Sequence, residues 1–220
     1  MPNGSLHDWL HSSECTPRLN LLQIINILID VSSALDYIHN QCVPTFVHGD
    51  LKPRNILLDH DMVAHVGDFG LAQFLGTTSH QNSSTGIRGT IGYAAPEYGL
   101  GSQMTCSGDV YSFGILVLEA MTGKKPIDNI FSEGLDLHKF ASMALQDHII
   151  DVIDVNILNV YQEDESNMEN KETYTKKIEE CLASTIKIGI SCSVDSPPQR
   201  MAIKKVVREL QHIRDTLQNI

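Results

Sequence analysis

"FVHGDLKPRNILLDHDMVAHVGDFG", residues 46–70, decides the fold. Two strand-forming pieces, "NILL" at 55–58 and "VAHV" at 63–66, flank the turn-forming "DHD". That pattern predicts a β-hairpin. Polar side chains crowd its two ends: Asp50, Lys52 and Asn55 before the first strand, Asp68 directly after the second. Taken singly, each has a plain reading, since "DFG" makes a turn, Asn55 caps a loop and Lys52 is a solvated charge. Order and spacing together carry more. Two carboxylates and a carboxamide meeting at one hairpin suit a hard divalent cation, which prefers oxygen ligands. Asp50 is then placed to take a proton from an attacking hydroxyl, while Lys52 offsets charge on a moving phosphoryl group.

Outward from the hairpin the chain reads as helices. Residues 19–40, "LNLLQIINILIDVSSALDYIHN", are apolar on most of the circumference, as in a helix buried inside a core. Asn20, Gln23, Asn26 and Asp30 interrupt the run, whereas a membrane span needs about 20 nearly unbroken apolar residues. Residues 109–126, "DVYSFGILVLEAMTGKKP", predict a second such helix, with Gly123 at its C-terminal cap and Pro126 preventing continuation. Further helices are expected over 135–145, 178–191 and 202–217, the last with an apolar stripe at Ile203, Val206, Val207, Leu210, Ile213 and Leu217. Residues 74–88 are rich in Ser, Thr, Gly and Asn and read as a loop. Residues 159–177 are polar and acidic without an apolar stripe, and read as an exposed insert. The fold class is mainly α (α+β), with one small hairpin carrying the polar motif.

Composition narrows the function classes. The 220 residues suffice for one sizeable core. A formal charge of -11 argues against a nucleic-acid partner, which would require basic patches. The five cysteines are odd in number, widely spaced and without a C-x-x-C pair, so they describe neither a disulfide framework nor a zinc site. The start of the chain lacks the basic and apolar regions of a signal peptide.

The ordered series "HGDLKPRN", "DFG", "GTIGYAAPEY" and "SGDVYSFGILVLEAMTG" resembles the C-terminal lobe of a eukaryotic protein kinase, over residues 1–217. The finer resemblance is to plant receptor-like serine/threonine kinases with leucine-rich-repeat ectodomains, through "MPNGSLHDWLH" and "GIRGTIGYAAPEYG". The resemblance implies that Asp50 is the catalytic base, Asn55 and Asp68 the magnesium ligands, and Phe69 the packing residue behind Asp68. Lys52, in "DLKPRN", fits serine/threonine kinases, Thr90 matches the threonine that supports Asp50 and Lys52 in that class, and Leu57 the side chain under adenine. It further implies an activation segment over 68–97, a pairing of Glu97 with Arg200, and an anchoring of the catalytic loop by Asp109. His48 is implied to be a packed structural histidine. Thr77, Thr78, Ser79, Ser83, Ser84 and Thr85 are the candidate phosphorylation sites.

The implied cofactors are ATP and Mg2+. The implied partners are proteins bearing Ser or Thr, together with other receptor kinases, on the cytoplasmic side of a membrane-anchored parent. Two departures qualify this. The given sequence holds no G-x-G-x-x-G loop and no V-A-I-K-like strand lysine, so the reading is of a C-terminal lobe with the N-terminal β lobe absent. The expectation is therefore that the isolated chain binds ATP–magnesium poorly and transfers phosphate negligibly, a truncated product or partial gene model. Gly49 stands where "RD" kinases place an arginine that engages an activation-loop phosphate. This "non-RD" pattern resembles receptor kinases of plant innate immunity. The alternative reading is a non-catalytic interaction module, a truncated lobe that docks on another kinase; separately, the face around Leu57 and Phe69 is expected to be partly exposed and to favour association.

Overall fold

In the computed structural model, which describes residues 1–11, 18–75, 89–146, 149–159 and 168–219, two helices form the centre. The first is α2, Leu21–Asn40. Asn20 and Gln23, two of the polar residues that interrupt the apolar run, form a reciprocal capping box at its start: each side chain accepts from the other's backbone N–H. They start the helix at Leu21, two residues after the apolar run begins, and satisfy donors that have no partner inside the helix. Leu21, Ile25, Leu28, Val31 and Leu35 are wholly buried. Each contributes about 1.5–3 kcal/mol of transfer free energy.

The other central helix is α4, Cys106–Thr122. It begins three residues before the expected Asp109, because the Thr105 side chain accepts from the Gly108 N–H and closes the first turn. Gly123, with φ 65°, caps its C-terminus as expected. Nearly every side chain from Gly108 to Thr122 is buried. The helix crosses α7, Met168–Cys192, at a close approach of two backbones. A Cβ at Gly114 would lie 2.7 Å from the Ser193 nitrogen and 2.8 Å from the Gly189 oxygen.

Around this pair lie α8, Ile203–Gln218, packed on α2 and α7, and α5, Leu137–Gln146, packed on α4 and α7. The apolar stripe of α8 buries Ile203, Val206, Leu210 and Ile213. Short helices α1 (Leu6–His11), α3 (Pro96–Gly99) and α6 (Val155–Asn159) complete the α-helices among the described residues. α7 starts ten residues before the expected 178, inside the acidic stretch. Glu172, Thr173, Thr175, Lys176 and Lys177 on it are exposed, so its first turns have no apolar stripe to announce them. α2 is long and apolar enough to cross a membrane, with a mean hydropathy of 1.5, but half of that window is buried inside the protein. It is a core helix.

Among the described residues the strands are few. β2 (Ile56–Leu58) and β3 (Ala64–Val66) form the expected antiparallel hairpin, Ile56 opposite Val66. The N-terminal residues extend it, with Leu58 N–H donating to the Gly4 oxygen at 2.9 Å and Asn3 N–H to the Leu58 oxygen at 3.2 Å. A second ladder pairs β1 (Phe46–Val47) with β4 (Gln73–Phe74). Two residues per strand are too few to show a period of two in the sequence. Cys42, Cys106, Cys181 and Cys192 are free thiols.

Candidate active site

The polar loop between β1 and β2 is held from below by one buried carboxylate. Asp109, in the first turn of α4 and 1% exposed, accepts from the main-chain N–H of His48 and of Gly49, each at 2.8 Å. Its Oδ2 also accepts from His39 Nε2 at 2.8 Å, at the end of α2. The loop conformation is therefore set by the two central helices. His39 has no sequence signal of its own, because its partner lies 70 residues away.

His48 is fully buried with both ring nitrogens engaged. Nδ1 accepts from the Asp50 N–H at 3.2 Å, which leaves Nε2 as the donor to the Gly67 oxygen at 2.9 Å. The ring thus ties the loop to the residue preceding Asp68. Gly49 has φ +80°, where a side chain is strained. A Cβ there would sit 2.5 Å from Met104 Sδ and 3.3 Å from the Leu71 oxygen. Met104 fills the space beside Gly49 in a small buried cluster with Val47, Ala95 and Tyr98.

Above this base, Asp50, Lys52 and Thr90 close a triangle. Lys52 Nζ donates to Asp50 Oδ2 at 2.6 Å and to Thr90 Oγ1 at 2.8 Å. Thr90 Oγ1 in turn donates to Asp50 Oδ1 at 2.6 Å. Asn55 Nδ2 donates to the Asp50 main-chain oxygen at 2.8 Å. Burial is the largest influence on Asp50 and raises its pKa. The hydrogen bonds from Lys52 and Thr90, the Lys52 charge and the Asn55 amide together outweigh it, holding the carboxyl below the usual range. Asp50 is thus a carboxylate at neutral pH, with oxygen lone pairs left to accept from a hydroxyl.

Asp68 lies beside Asn55 through the main chain, since Gly67 N–H donates to the Asn55 oxygen at 2.8 Å. It is exposed and left-handed, with φ 57°, a region that aspartate tolerates better than most non-glycine residues, and its side chain accepts from the Gly70 N–H. Phe69 packs edge-on to His48 at 5.0 Å and against Phe46 at 5.7 Å. Because the Asn55 amide nitrogen is spent on Asp50, its oxygen is the end left for a cation. That oxygen and the Asp68 carboxylate are hard donors, and this donor chemistry fits Mg2+. Leu57, half-buried on β2, lies opposite His65 and bridges to Ser5.

Glu97 and Arg200 meet 103 residues apart in the chain, in a bidentate pair at 2.7 Å on both oxygens. All five guanidinium N–H groups find acceptors, the remaining three on the Ser107, Asp195 and Val194 oxygens. Tyr111 stacks on the Arg200 guanidinium at 5.0 Å. Burial again raises the Glu97 pKa most, and the Arg200 hydrogen bonds and charge bring it net below its ordinary value. Thr77, Thr78, Ser79, Ser83, Ser84 and Thr85 lie outside the described residues.

The family model for protein tyrosine and serine/threonine kinases matches residues 1–210. A probable LRR receptor-like serine/threonine-protein kinase of Arabidopsis thaliana is 44% identical over 226 residues, 98% of this chain and 21% of that protein. The receptor kinase-like protein Xa21 of Oryza sativa subsp. japonica is 44% identical over 228 residues, 100% of this chain and 22% of its own length. The LRR receptor-like serine/threonine-protein kinase EFR of Arabidopsis thaliana is 43% identical over 229 residues, 97% and 20% of the two chains. The chain spans about a fifth of the length of these curated relatives.

Proposed function

The chain belongs to the protein tyrosine and serine/threonine kinase family, and from that membership we propose that it is the catalytic-loop half of a receptor-like serine/threonine kinase. The observation that carries this is the closed Asp50–Lys52–Thr90 triangle with Asn55 hydrogen-bonded to its base. In the proposed reaction Asp50 orients a Ser or Thr hydroxyl through a free lone pair. The hydroxyl oxygen forms the new P–O bond as the bond to the leaving diphosphate breaks, with that electron pair going to the diphosphate. The hydroxyl proton passes to Asp50. A carboxylate held below its usual pKa is a weak base, so its main work is orientation and late proton acceptance.

Lys52 reaches both Asp50 and the hydroxyl of Thr90, so its charge lies where the transferred group would gain negative charge. Asn55 and Asp68 are the proposed holders of magnesium. Magnesium–ATP, when bound, supplies the phosphoryl group and neutralises its charge. Phosphorylation of Ser and Thr proteins in receptor signalling is the proposed role of the complete protein.

The test is a chimera in which residues 1–210 replace the matching region of an active relative. Ser/Thr phosphorylation by the chimera supports the reading, with Asp50→Asn about 10²–10⁴-fold slower. A chimera that folds, binds nucleotide and is equally active with Asp50→Asn refutes it. A second reading, a non-catalytic docking module, draws on the exposed Phe69, Leu71 and Phe74 beside the site, 45–52% accessible. A chimera that binds another kinase domain but transfers no phosphate would favour it.

A further inference from the structure

Away from the proposed active site, α1 and α4 bring two imidazoles and a buried carboxylate together. His7 and His11 stand one turn apart on α1, their ring centroids 4.9 Å apart. Glu119, on the last turns of α4, is wholly buried. The ligand atoms of all three lie within 4.8 Å of one another. Among the described residues this is the group of His, Cys, Asp and Glu side chains whose donor atoms converge in that way.

We propose that His7, His11 and Glu119 form a binding site for a divalent transition-metal ion of the zinc class. Zinc takes imidazole nitrogen and carboxylate oxygen at about 2.0–2.2 Å, which places tetrahedral ligands roughly 3.3–3.5 Å apart. His11 Nε2 and Glu119 Oε1, now 2.7 Å apart, need to open slightly. His7 needs to close by no more than about 1.5 Å, within the reach of a rotamer change. Three protein ligands leave a fourth position for water. Two imidazoles select this class of ion over magnesium, whose oxygen-only preference suits Asn55 and Asp68 instead.

Three features of the surroundings bear on the site. The second oxygen of Glu119 accepts from the Tyr93 hydroxyl, which fixes the carboxylate as an outer partner does in a metal centre. His7 is only partly exposed, with the Arg54 and Lys125 cations and the opposing Asp8 carboxylate nearby. Arg54 and Lys125 also repel a cation, and the Glu119 carboxylate offsets them from inside the core. A bound ion would join α1 to α4 and orient Tyr93, three residues beyond Thr90, through Glu119.

The test uses the 220-residue chain, freed of metal by chelation, titrated with Zn2+ by calorimetry and with Co2+ by visible absorption. One equivalent is expected, with a tetrahedral cobalt spectrum and a Zn2+-dependent rise in Tm. His7→Asn and His11→Asn should each abolish the stoichiometric step, and Tyr93→Phe should weaken it about 10–100-fold. No saturable binding, or one equivalent bound equally well by both histidine variants, overturns the proposal. Should either variant fail to fold, protection of His7 and His11 from an imidazole-modifying reagent is read in the unmodified sequence. Zn2+ that leaves both rings equally reactive overturns it too.

Discussion

Placing a methyl group on Gly49 perturbs both backbone and packing. Its φ of +80° costs an L-residue about 1–2 kcal/mol. The new Cβ would lie 2.5 Å from Sδ and 3.1 Å from Cε of Met104, which is only 3% exposed and cannot swing into water freely. Overpacking of this kind costs about 1–3 kcal/mol. The stiffer unfolded chain returns about 0.4–1 kcal/mol. Gly49→Ala is therefore expected to lose roughly 2–3 kcal/mol, which at about 2–4 °C per kcal/mol lowers Tm by about 4–12 °C. The Gly49 N–H bond to Asp109 is retained, so the loss reports strain and packing alone. A double-mutant cycle separates the two. Met104→Ala vacates the volume that the methyl needs, so Gly49→Ala should cost only the backbone strain in that background. The expected coupling is about 1–3 kcal/mol, measured by urea denaturation of the four chains. Equal costs of Gly49→Ala in both backgrounds would refute the packing argument, and a fully stable Gly49→Ala would refute both. An arginine at 49 meets the same sulfur first. Restoring that charge would repack this corner before it could engage any phosphate.

Three further outcomes are expected. Arg200→Ala leaves the half-buried Glu97 without its partner and strands the Ser107, Asp195 and Val194 oxygens; a loss of about 3 kcal/mol by chemical denaturation is predicted, and one under 1 kcal/mol would contradict it. The folded-state pKa of Glu97 is depressed, so its contribution is fully present above the ordinary value of 4.5 and is lost as pH falls through the lower folded value. The Tm advantage of the parent over Glu97→Gln should accordingly shrink only below that pH, and an advantage unchanged in stronger acid would count against the linkage. Finally, the 220-residue chain alone should transfer phosphate from ATP negligibly, because its sequence supplies no Gly-rich loop or strand lysine to position the phosphates. Robust transfer abolished by Asp50→Ala would reverse that expectation.

How much of this was legible depended on where each physical constraint lies along the chain. Helices apolar all round, such as α2 and α4, announce themselves by composition, and the hairpin by two short apolar runs about a turn. Their boundaries were less plain. Asn20 and Gln23 looked like interruptions because a capping box uses the same polar residues that break an apolar run. Glu172, Thr173, Thr175, Lys176 and Lys177 in the early turns of α7 are exposed and carry no stripe. At the site, Asp50, Lys52, Asn55 and Asp68 were found by spacing, while His39, Met104 and the His7–His11–Glu119 group were not. Those act across separations that only the folded chain closes, 108 residues for His11 and Glu119. Gly49 stood out in the sequence for the charge it lacks, and the structure adds the backbone angle and the sulfur beside it.

The Glu97–Arg200 pair also has a place in time. Synthesis at about 5–20 residues per second puts Arg200 on the ribosome roughly 5–20 s after Glu97. During that interval Asp109 can already clasp the loop carrying Asp50, since His39, His48 and Gly49 all precede it. The segment ending at Glu97 must wait with an unmatched carboxylate. An early stop between residues 109 and 200 releases a chain that can hold the loop carrying Asp50 but not the segment ending at Glu97. Such a chain would present the half-finished surface that chaperones hold.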